Sequence, residues 1–290
     1  MKIIDSIRPD KQFISLEFFP PKGQAEWPAF FHTVERLARL DPLFASVTYG
    51  AGGSTHGDSL EIVTRLQNEF GMETMAHLTC IGSTPDEIAV FLDALNRAGV
   101  HNVLALRGDL PQDPDADFVP SPHLQYAGDL VSLIRASDPG IGIGVAGYPE
   151  VHPEAPDPES DLGCLKQKLD NGADFVITQL FFDNQLYHDF VGRARVAGIA
   201  QPIIPGILPI VSLKVIKRII GMCGASIPED LMAKLEEADQ RGGAAAVQEV
   251  GLEHARKQAR QLLEAGAPGV HFYTLNRAEV ILQLAEGLFK

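Results

Sequence analysis

Side chains that could carry out chemistry occur at the ends of short apolar segments in this sequence. They include carboxylates, imidazoles, a guanidinium, phenols and amides, the groups that proteins use to transfer protons and to bind small anions. The residues are Glu17, Thr48, Tyr49, His77, Arg107, Asp109, Tyr148, His152, Gln179, Tyr273, Asn276 and Arg277. Their shared position at segment ends is hard to obtain by chance and indicates one common site.

Glu17 is the strongest candidate for a proton donor. It lies between Leu16 and Phe18, where a carboxylate is costly unless it is paired or faces a pocket. Burial raises the pKa of a carboxyl group, which suits proton donation near neutral pH. We therefore predict that Glu17 is a general acid with a raised pKa, and the alternative is a buried structural ion pair.

The Arg107-Gly108-Asp109 segment combines both charges with a glycine that permits close backbone approach to a ligand. The alternative for its two charged residues is a loop salt bridge. His77 taken alone is typical of a hydrogen-bonded core histidine, and only its place at a segment end makes it a candidate. The stretch Gly50-Ala51-Gly52-Gly53 fits neither the dinucleotide nor the Walker pattern, so it predicts only a flexible turn.

A metal hydrolase is a further possibility to weigh. The candidate ligands are His77, His101, Asp109, His152 and His271. The sequence has no H-x-H at the end of the first apolar segment and no H-E-x-x-H motif. We therefore expect no metal site.

Strands and helices must alternate to bring these side chains together. The predicted strands are Phe13–Phe18, Phe44–Tyr49, Thr74–Thr79, Asn102–Leu106, Ile141–Ala146, Phe175–Leu180, Ile203–Leu208 and Val270–Leu275. Amphipathic stretches such as Glu87–Ala98 and Gln185–Ala197 follow them, and the sequence from Ser83 to Glu87 has the hydroxyl, proline and acids of a helix start. Near-continuous apolar strands are typical of a parallel sheet covered on both faces.

Eight strands alternating with helices fit either a doubly wound sheet or a closed barrel. The even spacing and the count of eight favour a single (β/α)8 TIM-type barrel, α/β in class, that fills residues 1–290 as one domain. The polar stretch from Pro228 to Val247 predicts extra helices between the seventh and eighth strands. Pro111–Pro122 predicts a loop on the barrel face. In such a barrel the active site lies at the carboxyl ends of the strands.

Composition narrows the partners. The formal net charge of −14 argues against nucleic acid, although a few local cations could still hold a small anionic ligand. The charged N-terminal stretch is unlike a signal peptide, and no run approaches the roughly 20 apolar residues of a membrane span. Cys80, Cys164 and Cys223 form neither a C-x-x-C motif nor an even set, so we expect a cytoplasmic protein without disulfides.

The blocks at the segment ends resemble methylenetetrahydrofolate reductase. They are Leu16-Glu17-Phe18-Phe19-Pro20-Pro21, Ser46-Val47-Thr48-Tyr49-Gly50, His77-Leu78-Thr79-Cys80, Ala105-Leu106-Arg107-Gly108-Asp109-Leu110-Pro111, Gly147-Tyr148-Pro149-Glu150-Val151-His152-Pro153, Ile177-Thr178-Gln179, Pro205-Gly206-Ile207-Leu208-Pro209 and His271-Phe272-Tyr273-Thr274-Leu275-Asn276-Arg277. The resemblance runs in order from about residue 13 to the C-terminus, with one block per strand end. The chain ends after the barrel, as expected of the bacterial enzymes, which lack the eukaryotic regulatory domain.

The resemblance implies a ping-pong reaction through bound FAD. NADH or NADPH reduces the flavin, and the flavin then reduces 5,10-methylenetetrahydrofolate to 5-methyltetrahydrofolate. Glu17 matches the general acid, Asp109 matches the carboxylate beside flavin and pterin, and Gln179, Tyr273 and Arg277 match folate contacts. The residues that match the flavin-binding set are Thr48, His77, Arg107, Gly108, Asp109, Tyr126, Ala127, Ala146, Tyr148, His152, Asp161 and Lys168.

The sequence departs from the family pattern at three positions. Cys164 and Gln167 stand where the diphosphate-binding helix often carries Asn and Arg, which predicts weak retention of FAD. Val215 stands where a folate-binding glutamine is common. Two other functions stay open, a different FAD-dependent barrel oxidoreductase of the proline-dehydrogenase kind and a flavin- or folate-binding subunit that needs a partner. The sequence also leaves open the choice between NADH and NADPH and whether copies associate into a homo-oligomer.

Overall fold

The computed structural model describes residues 1–49, 56–109 and 121–288. Parallel strands alternate with helices along the chain. The strands are β1 (Phe13–Phe18), β2 (Phe44–Val47), β3 (Thr74–Thr79), β4 (Asn102–Leu106), β5 (Gly142–Gly147), β6 (Phe175–Thr178), β7 (Ile203–Ile204), β8 (Gly206–Ile207) and β9 (Gly269–Tyr273). Most predicted strands are present within one or two residues of their predicted bounds.

The helices cover the outer face of the sheet. They are α1 (Trp27–Ala38), α2 (His56–Phe70), α3 (Pro85–Arg97), α4 (Ala127–Ser137), α5 (Pro158–Asp170), α6 (Asn184–Val196), α7 (Leu213–Cys223), α8 (Glu229–Glu264) and α9 (Ala278–Ala285). The predicted start of α3 is confirmed, because the Thr84 hydroxyl accepts a hydrogen bond from the Glu87 amide and the Glu87 carboxylate accepts one from the Thr84 amide. This capping box fixes where the helix leaves the strand end.

The sheet order is β7-β6-β5-β4-β3-β2-β1-β9-β8, and every neighbouring pair is parallel. The predicted seventh strand is divided into β7 and β8 at Pro205, which lacks the N–H that a ladder requires. One half pairs with β6 and the other with β9, so the chain itself joins the two edges. The result is a nearly closed barrel, which confirms the predicted TIM-type fold.

Apolar side chains fill the barrel and close the end at which its strands begin. Phe13, Phe44 and Phe175 begin their strands and pack with Ile3 of the N-terminal segment in one buried cluster. The Ile3 amide donates to the Asn102 side-chain oxygen at 2.8 Å, which ties this segment to the sheet. Because the amino-terminal end of the barrel is filled, open space is left at the carboxyl ends of the strands.

Extra helices follow the divided strand, as the sequence predicted. The long helix α8 bends at Gly242 and Gly243, where the backbone leaves helical geometry. The predicted loops 50–53 and 111–122 lie outside the described residues, apart from positions 121 and 122. Among the described helices, none is both long and apolar enough to cross a membrane.

Candidate active site

A cavity of about 610 Å³ opens at the carboxyl ends of the barrel strands. Its volume is within the range of small-molecule sites, roughly 300–1,000 Å³. Most of the residues nominated from the sequence line it, and they are Glu17, Thr48, His77, Arg107, Gly108, Asp109, Ala146, Tyr148, His152, Gln179 and Tyr273. The barrel therefore brings the predicted groups together, as the position of active sites in this fold requires.

Besides Asn276, whose NH2 group donates to the Phe19 carbonyl at 2.7 Å, five nominated residues lie outside the lining of this cavity. Tyr126 and Ala127 stand at the start of α4, and the Tyr126 side chain is 62% exposed. Asp161 and Lys168 belong to α5, and Arg277 is exposed just before α9. The structure does not place these five against the cavity, so their assigned contacts stay predictions.

Glu17 lies at the centre of the cavity floor, between two imidazoles. One of its carboxylate oxygens, Oε2, is 3.3 Å from Nε2 of His77 and 3.6 Å from Nε2 of His271. Neither nitrogen makes a hydrogen bond of good geometry within the described chain, to Glu17 or to any other group. The Ser15 hydroxyl lies 2.9 Å from Nδ1 of His271, so its other ring nitrogen is held as well.

The expected raised pKa of Glu17 is wrong. Burial does raise the pKa of this carboxyl group, but the imidazoles of His271 and His77 lower it more, to about 2. Two positive or proton-donating groups at this distance favour the carboxylate over the carboxylic acid. The arrangement is a buried carboxylate with two imidazole nitrogens within 3.6 Å of one of its oxygens.

The sequence reasoning did not nominate Ser15, and it considered His271 only as a candidate metal ligand and not as a partner of Glu17. The strand register explains why both belong there, because Ser15 pairs with His271 and Glu17 pairs with Tyr273. Side chains two residues apart on a strand point to the same face, so Ser15 accompanies Glu17 and His271 accompanies Tyr273 into the barrel. The alternation of side chains along β1 and β9 was therefore the sequence signal that could have identified Ser15 and His271 as site residues.

Arg107 lines the cavity and forms a bidentate salt bridge with Glu154. Its Nη1 and Nη2 atoms lie 2.5 and 2.6 Å from the two carboxylate oxygens of Glu154. Arg107 therefore does form a salt bridge, as the alternative interpretation of the sequence predicted. Its partner is Glu154 and not Asp109. Asp109 is an exposed member of the lining.

Gly108 is required by the backbone at this rim. Its φ is +89°, and a Cβ atom built there would lie 2.7 Å from the Ile81 side chain and 3.0 Å from Thr79. Any larger residue would be strained and would push on those side chains. The glycine thus allows β4 to end close against the loop after β3.

The lining has features that fit a flavin. The Thr48 side chain is buried, and its hydroxyl has no hydrogen-bond partner among the described residues. Buried hydroxyls are normally satisfied, so this one is ready for a polar ligand atom. Tyr148 and His152 form an edge-to-face pair with ring centroids 4.6 Å apart, and burial raises the pKa of the Tyr148 phenol to about 12. The Tyr148 and His152 rings thus form an aromatic wall of the cavity.

Helix α5 lies behind this wall. The Lys168 ammonium donates to the carbonyl oxygen of Ala146, a lining residue, at 2.6 Å, and burial lowers its pKa to about 8. The Asp161 carboxylate accepts from the His152 amide at 3.3 Å. Cys164 and Gln167, the two departures from the family pattern, are exposed on this helix.

Two of the predicted folate contacts line the cavity, Gln179 just after β6 and Tyr273 at the end of β9. The Tyr273 hydroxyl donates to the Thr178 carbonyl at 2.7 Å, and burial raises the pKa of this phenol. The Gln179 side-chain oxygen accepts a hydrogen bond from the Leu180 amide at 2.9 Å. Val215 is 37% exposed on α7.

Within the described residues, no group of three or more His, Cys, Asp or Glu side chains could hold a metal ion.

The chain matches a known family model along nearly its whole length. Residues 2–288 match the family described as methylenetetrahydrofolate reductase. It is 39% identical over 268 residues to 5,10-methylenetetrahydrofolate reductase of Escherichia coli (strain K12), covering 92% of this chain and 87% of that protein.

Longer relatives match as well. The chain is 40% identical to methylenetetrahydrofolate reductase (NADH) 1 of Arabidopsis thaliana and 38% identical to a probable methylenetetrahydrofolate reductase (NADPH) of Caenorhabditis elegans. These alignments cover 95% and 96% of this chain but 49% and 42% of the relatives. The chain thus spans about half the length, or less, of these plant and animal relatives.

Among solved structures, the chain is similar to an uncharacterized protein from Clostridium thermocellum that binds two copies of 5-methyl-5,6,7,8-tetrahydrofolic acid. The TM-score is 0.66, the identity is 15%, and the alignment covers 98% of this chain and 95% of that one. At this identity the likeness shows a shared fold.

Proposed function

This chain belongs to the methylenetetrahydrofolate reductase family, and from that premise we propose that it reduces 5,10-methylenetetrahydrofolate to 5-methyltetrahydrofolate. NADH or NADPH is the electron donor, FAD is the bound carrier, and the two substrates use the cavity in turn in a ping-pong sequence. The observation that carries this proposal is the buried Glu17 carboxylate, set between two imidazoles at the floor of a cavity of about 610 Å³.

The described residues fit FAD. Thr48 offers a buried hydroxyl that has no hydrogen-bond partner among the described residues, and Arg107 supplies a guanidinium at the rim. The nominated flavin contacts that line the cavity would hold the ring system, and those on α4 and α5 would lie towards the diphosphate and adenosine. When bound, FAD supplies the capacity to take up two electrons from the nicotinamide and deliver them as hydride.

The protein's own part in the folate step is to supply a proton. The five-membered ring of the substrate opens when the bond between the methylene carbon and one nitrogen breaks, and that nitrogen is protonated as it leaves. The carbon then accepts a hydride as an iminium cation. Glu17 is the proton donor in this proposal, and general acids of this kind contribute roughly 10²–10⁴-fold to a rate.

Glu17 is ionised in the free site, so it must first take up a proton. Two imidazoles lie beside it, with Nε2 of His77 and Nε2 of His271 at 3.3 and 3.6 Å from its carboxylate. Ser15 holds the far nitrogen of the His271 ring and so fixes the ring's orientation. Filling the cavity with ligand removes water from this cluster, which favours the neutral carboxylic acid.

The remaining predicted site residues would orient the folate substrate and stabilise the charges on it. Asp109 would stabilise the cationic iminium by its negative charge. Gln179 and Tyr273 would contact the pterin end, and Arg277 would pair with the carboxylate of the glutamate tail.

We propose further that residues 1–290 act as one catalytic barrel domain. The three cysteines are free thiols, which supports a place in the reducing cytoplasm.

Anaerobic mixing of FAD-loaded protein with NADH or NADPH tests this function. We expect loss of the oxidised-flavin absorbance with at least one nicotinamide, and its return on addition of methylenetetrahydrofolate. Reduction by an amino acid such as proline, without folate reoxidation, would indicate another barrel oxidoreductase. Failure of both nicotinamides to bleach the flavin would point to a partner-dependent subunit.

A further inference from the structure

We propose that Asn276 is a positioning residue for the folate half-reaction, because its side chain joins the end of the Glu17 strand to the turn that leads to Arg277. The inference rests on the proposed function, in which Glu17 donates the proton and Arg277 pairs with the glutamate tail of the folate. Asn276 lies outside the cavity lining, so it would act through these two residues.

The side-chain amide of Asn276 is bonded to both backbone groups of Phe19. Its NH2 group donates to the Phe19 carbonyl at 2.7 Å, and its oxygen accepts from the Phe19 amide at 3.1 Å. Pro20 and Pro21 come next, and neither has an N–H with which to extend a ladder. The Asn276 side chain thus takes the place of a strand partner just beyond the point where the pairing of β1 with β9 ends.

Thr274 joins the same two segments one step earlier. Its hydroxyl donates to the Glu17 carbonyl at 2.6 Å, and its amide donates to the same oxygen at 3.2 Å. The Asn276 amide in turn donates to the Thr274 hydroxyl oxygen at 3.0 Å. On the other edge of β1, the Thr48 amide donates to the Phe18 carbonyl at 3.0 Å. The end of β1 is therefore held on both sides.

The place of the Glu17 carboxylate depends on this backbone. One carboxylate oxygen lies 3.3 Å from Nε2 of His77 and 3.6 Å from Nε2 of His271, so a shift of β1 by an ångström would change both distances. A misplacement of about 1 Å can slow a reaction by roughly 10²-fold. Loss of the bonds to Phe19 is therefore expected to act on proton transfer to the folate.

The same side chain fixes the turn before Arg277. Leu275 and Asn276 have φ angles of +47° and +56°, a region that asparagine and glycine adopt more readily than other residues. The Arg277 amide donates to the Thr274 carbonyl at 2.9 Å, which closes the turn ahead of α9. Because one amide joins this turn to the end of β1, it sets the spacing between the proposed acid and the proposed folate anchor.

Asn276→Gly separates the side-chain bonds from the backbone conformation, since glycine adopts a positive φ at no steric cost. In FAD-loaded protein with photoreduced flavin, we expect reoxidation by 5,10-methylenetetrahydrofolate to be about 10- to 100-fold slower at saturation. The folate concentration for half-saturation should also rise, whereas reduction of the flavin by nicotinamide should be unchanged. Stopped-flow absorbance measures both half-reactions. If Asn276 serves only the turn, glycine replaces it without loss, and an unchanged folate step would overturn the proposal.

Asn276→Asp is the second variant, because it keeps the shape of the side chain. Its carboxylate still accepts from the Phe19 amide but has no donor for the Phe19 carbonyl. It should show the same selective loss, and a normal folate step in this variant would also contradict the proposal.

Asp41→Gly is the matched control. Asp41 also has a positive φ, +48°, but it is exposed ahead of β2, at the end of the barrel where the strands begin. Both half-reactions should be unchanged in this variant. A loss of the folate step here, similar to that in Asn276→Gly, would show that the effect is not specific to Asn276.

These measurements separate the positioning role from the proposed function. If the folate does not reoxidise the flavin of the unsubstituted protein, the proposed function itself fails. If it does, and Asn276→Gly slows both half-reactions equally, the function stands and Asn276 is only structural. Thermal melting of each variant checks that it is folded.

Discussion

At the scale of single residues, the site depends on one carboxylate and the groups that share its protons. Glu17, His77 and His271 come from three strands, and each is poorly accessible to water. A carboxylate in such a place is stabilised only by its partners, and removal of any one of them leaves the others unsatisfied.

Replacing Glu17 should separate the two half-reactions. We expect Glu17→Gln to bind FAD and to be reduced by nicotinamide at a normal rate, because that step needs no acid. Reduction of the folate should fall by about 10²- to 10⁴-fold. Stopped-flow absorbance of each half-reaction measures both.

Glu73→Gln is the control for that substitution. Glu73 is a partly buried carboxylate at the other end of the barrel, where it accepts a hydrogen bond from Asn102 at 2.9 Å. Both half-reactions should be unchanged in this variant. An equal loss in both half-reactions of Glu17→Gln would show that Glu17 is structural.

Asp109→Asn should affect the two half-reactions in opposite directions. A carboxylate beside the flavin disfavours the uptake of electrons, so its removal should raise the reduction potential. The same removal weakens stabilisation of the cationic folate and slows its reduction. Potentiometric titration measures the first effect, with the exposed Asp93→Asn as control. An unchanged potential would count against a place for Asp109 beside the isoalloxazine ring.

At the scale of secondary structure elements, the proposed binding of FAD depends on α5. The helix carries Lys168, which is half-buried, whereas Gln167 and Cys164 on the same helix are exposed and add no cation. A charge-assisted, desolvated contact is worth about 2–3 kcal/mol. Loss of one such contact weakens affinity by roughly 30- to 150-fold.

We therefore expect FAD to be lost on dilution or in high salt, and Gln167→Arg to improve its retention. The affinity, measured by flavin fluorescence at several salt concentrations, should rise and become more salt-dependent in that variant. Lys168→Ala should lose flavin further. If Gln167→Arg changes neither the affinity nor its salt dependence, α5 does not face the diphosphate.

The affinity for FAD should also depend on pH through Lys168. Burial lowers the pKa of this ammonium to about 8, so the free protein loses the charge as pH rises through that value. The diphosphate favours the charged form, and the affinity should fall by up to about tenfold per pH unit above pH 8. Lys168→Met keeps the apolar stem and should give a flat profile. A wild-type affinity that is constant from pH 7 to 10 would refute this role.

Close approach of α8 to the segment after β8 depends on Gly251. A Cβ atom at this position would lie 2.0 Å from the Ile210 carbonyl oxygen, which is backbone and cannot move aside cheaply. Gly251→Ala should lower the free energy of unfolding by roughly 1–3 kcal/mol, the usual cost of overpacking. Gly192→Ala in α6 meets nothing within 4 Å and should raise it by about 0.4–1 kcal/mol. Urea unfolding of both variants distinguishes the two effects.

At the scale of the whole molecule, the barrel closes around the cavity through the divided seventh strand. The β7 and β8 halves pair with opposite neighbours, and the Pro205 carbonyl between them accepts from the His271 amide at 2.9 Å. The same hydrogen bond places β9 and therefore the His271 ring. Closure of the barrel and assembly of the proton-exchanging cluster are thus one structural event.

The sequence alone determined the barrel, the order of its elements and most of the cavity lining. Apolar segments of strand length recurred at even spacing, and a polar group followed nearly every one. Because parallel strands all end on the same side, the strand ends had to converge. The capping residues Thr84 and Glu87 likewise predicted the start of α3, since capping acts between near neighbours in the chain.

Only the tertiary structure decided how these groups are paired. The pKa of Glu17 was predicted in the wrong direction because burial can be read from neighbouring residues in the sequence, whereas the imidazoles of His77 and His271 reach it across the barrel. The partner of Arg107 is Glu154, 47 residues away, and not the nearby Asp109. Local patterns fix which side chains arrive at the site, but charge interactions depend on distances that exist only once the strands have closed into a ring.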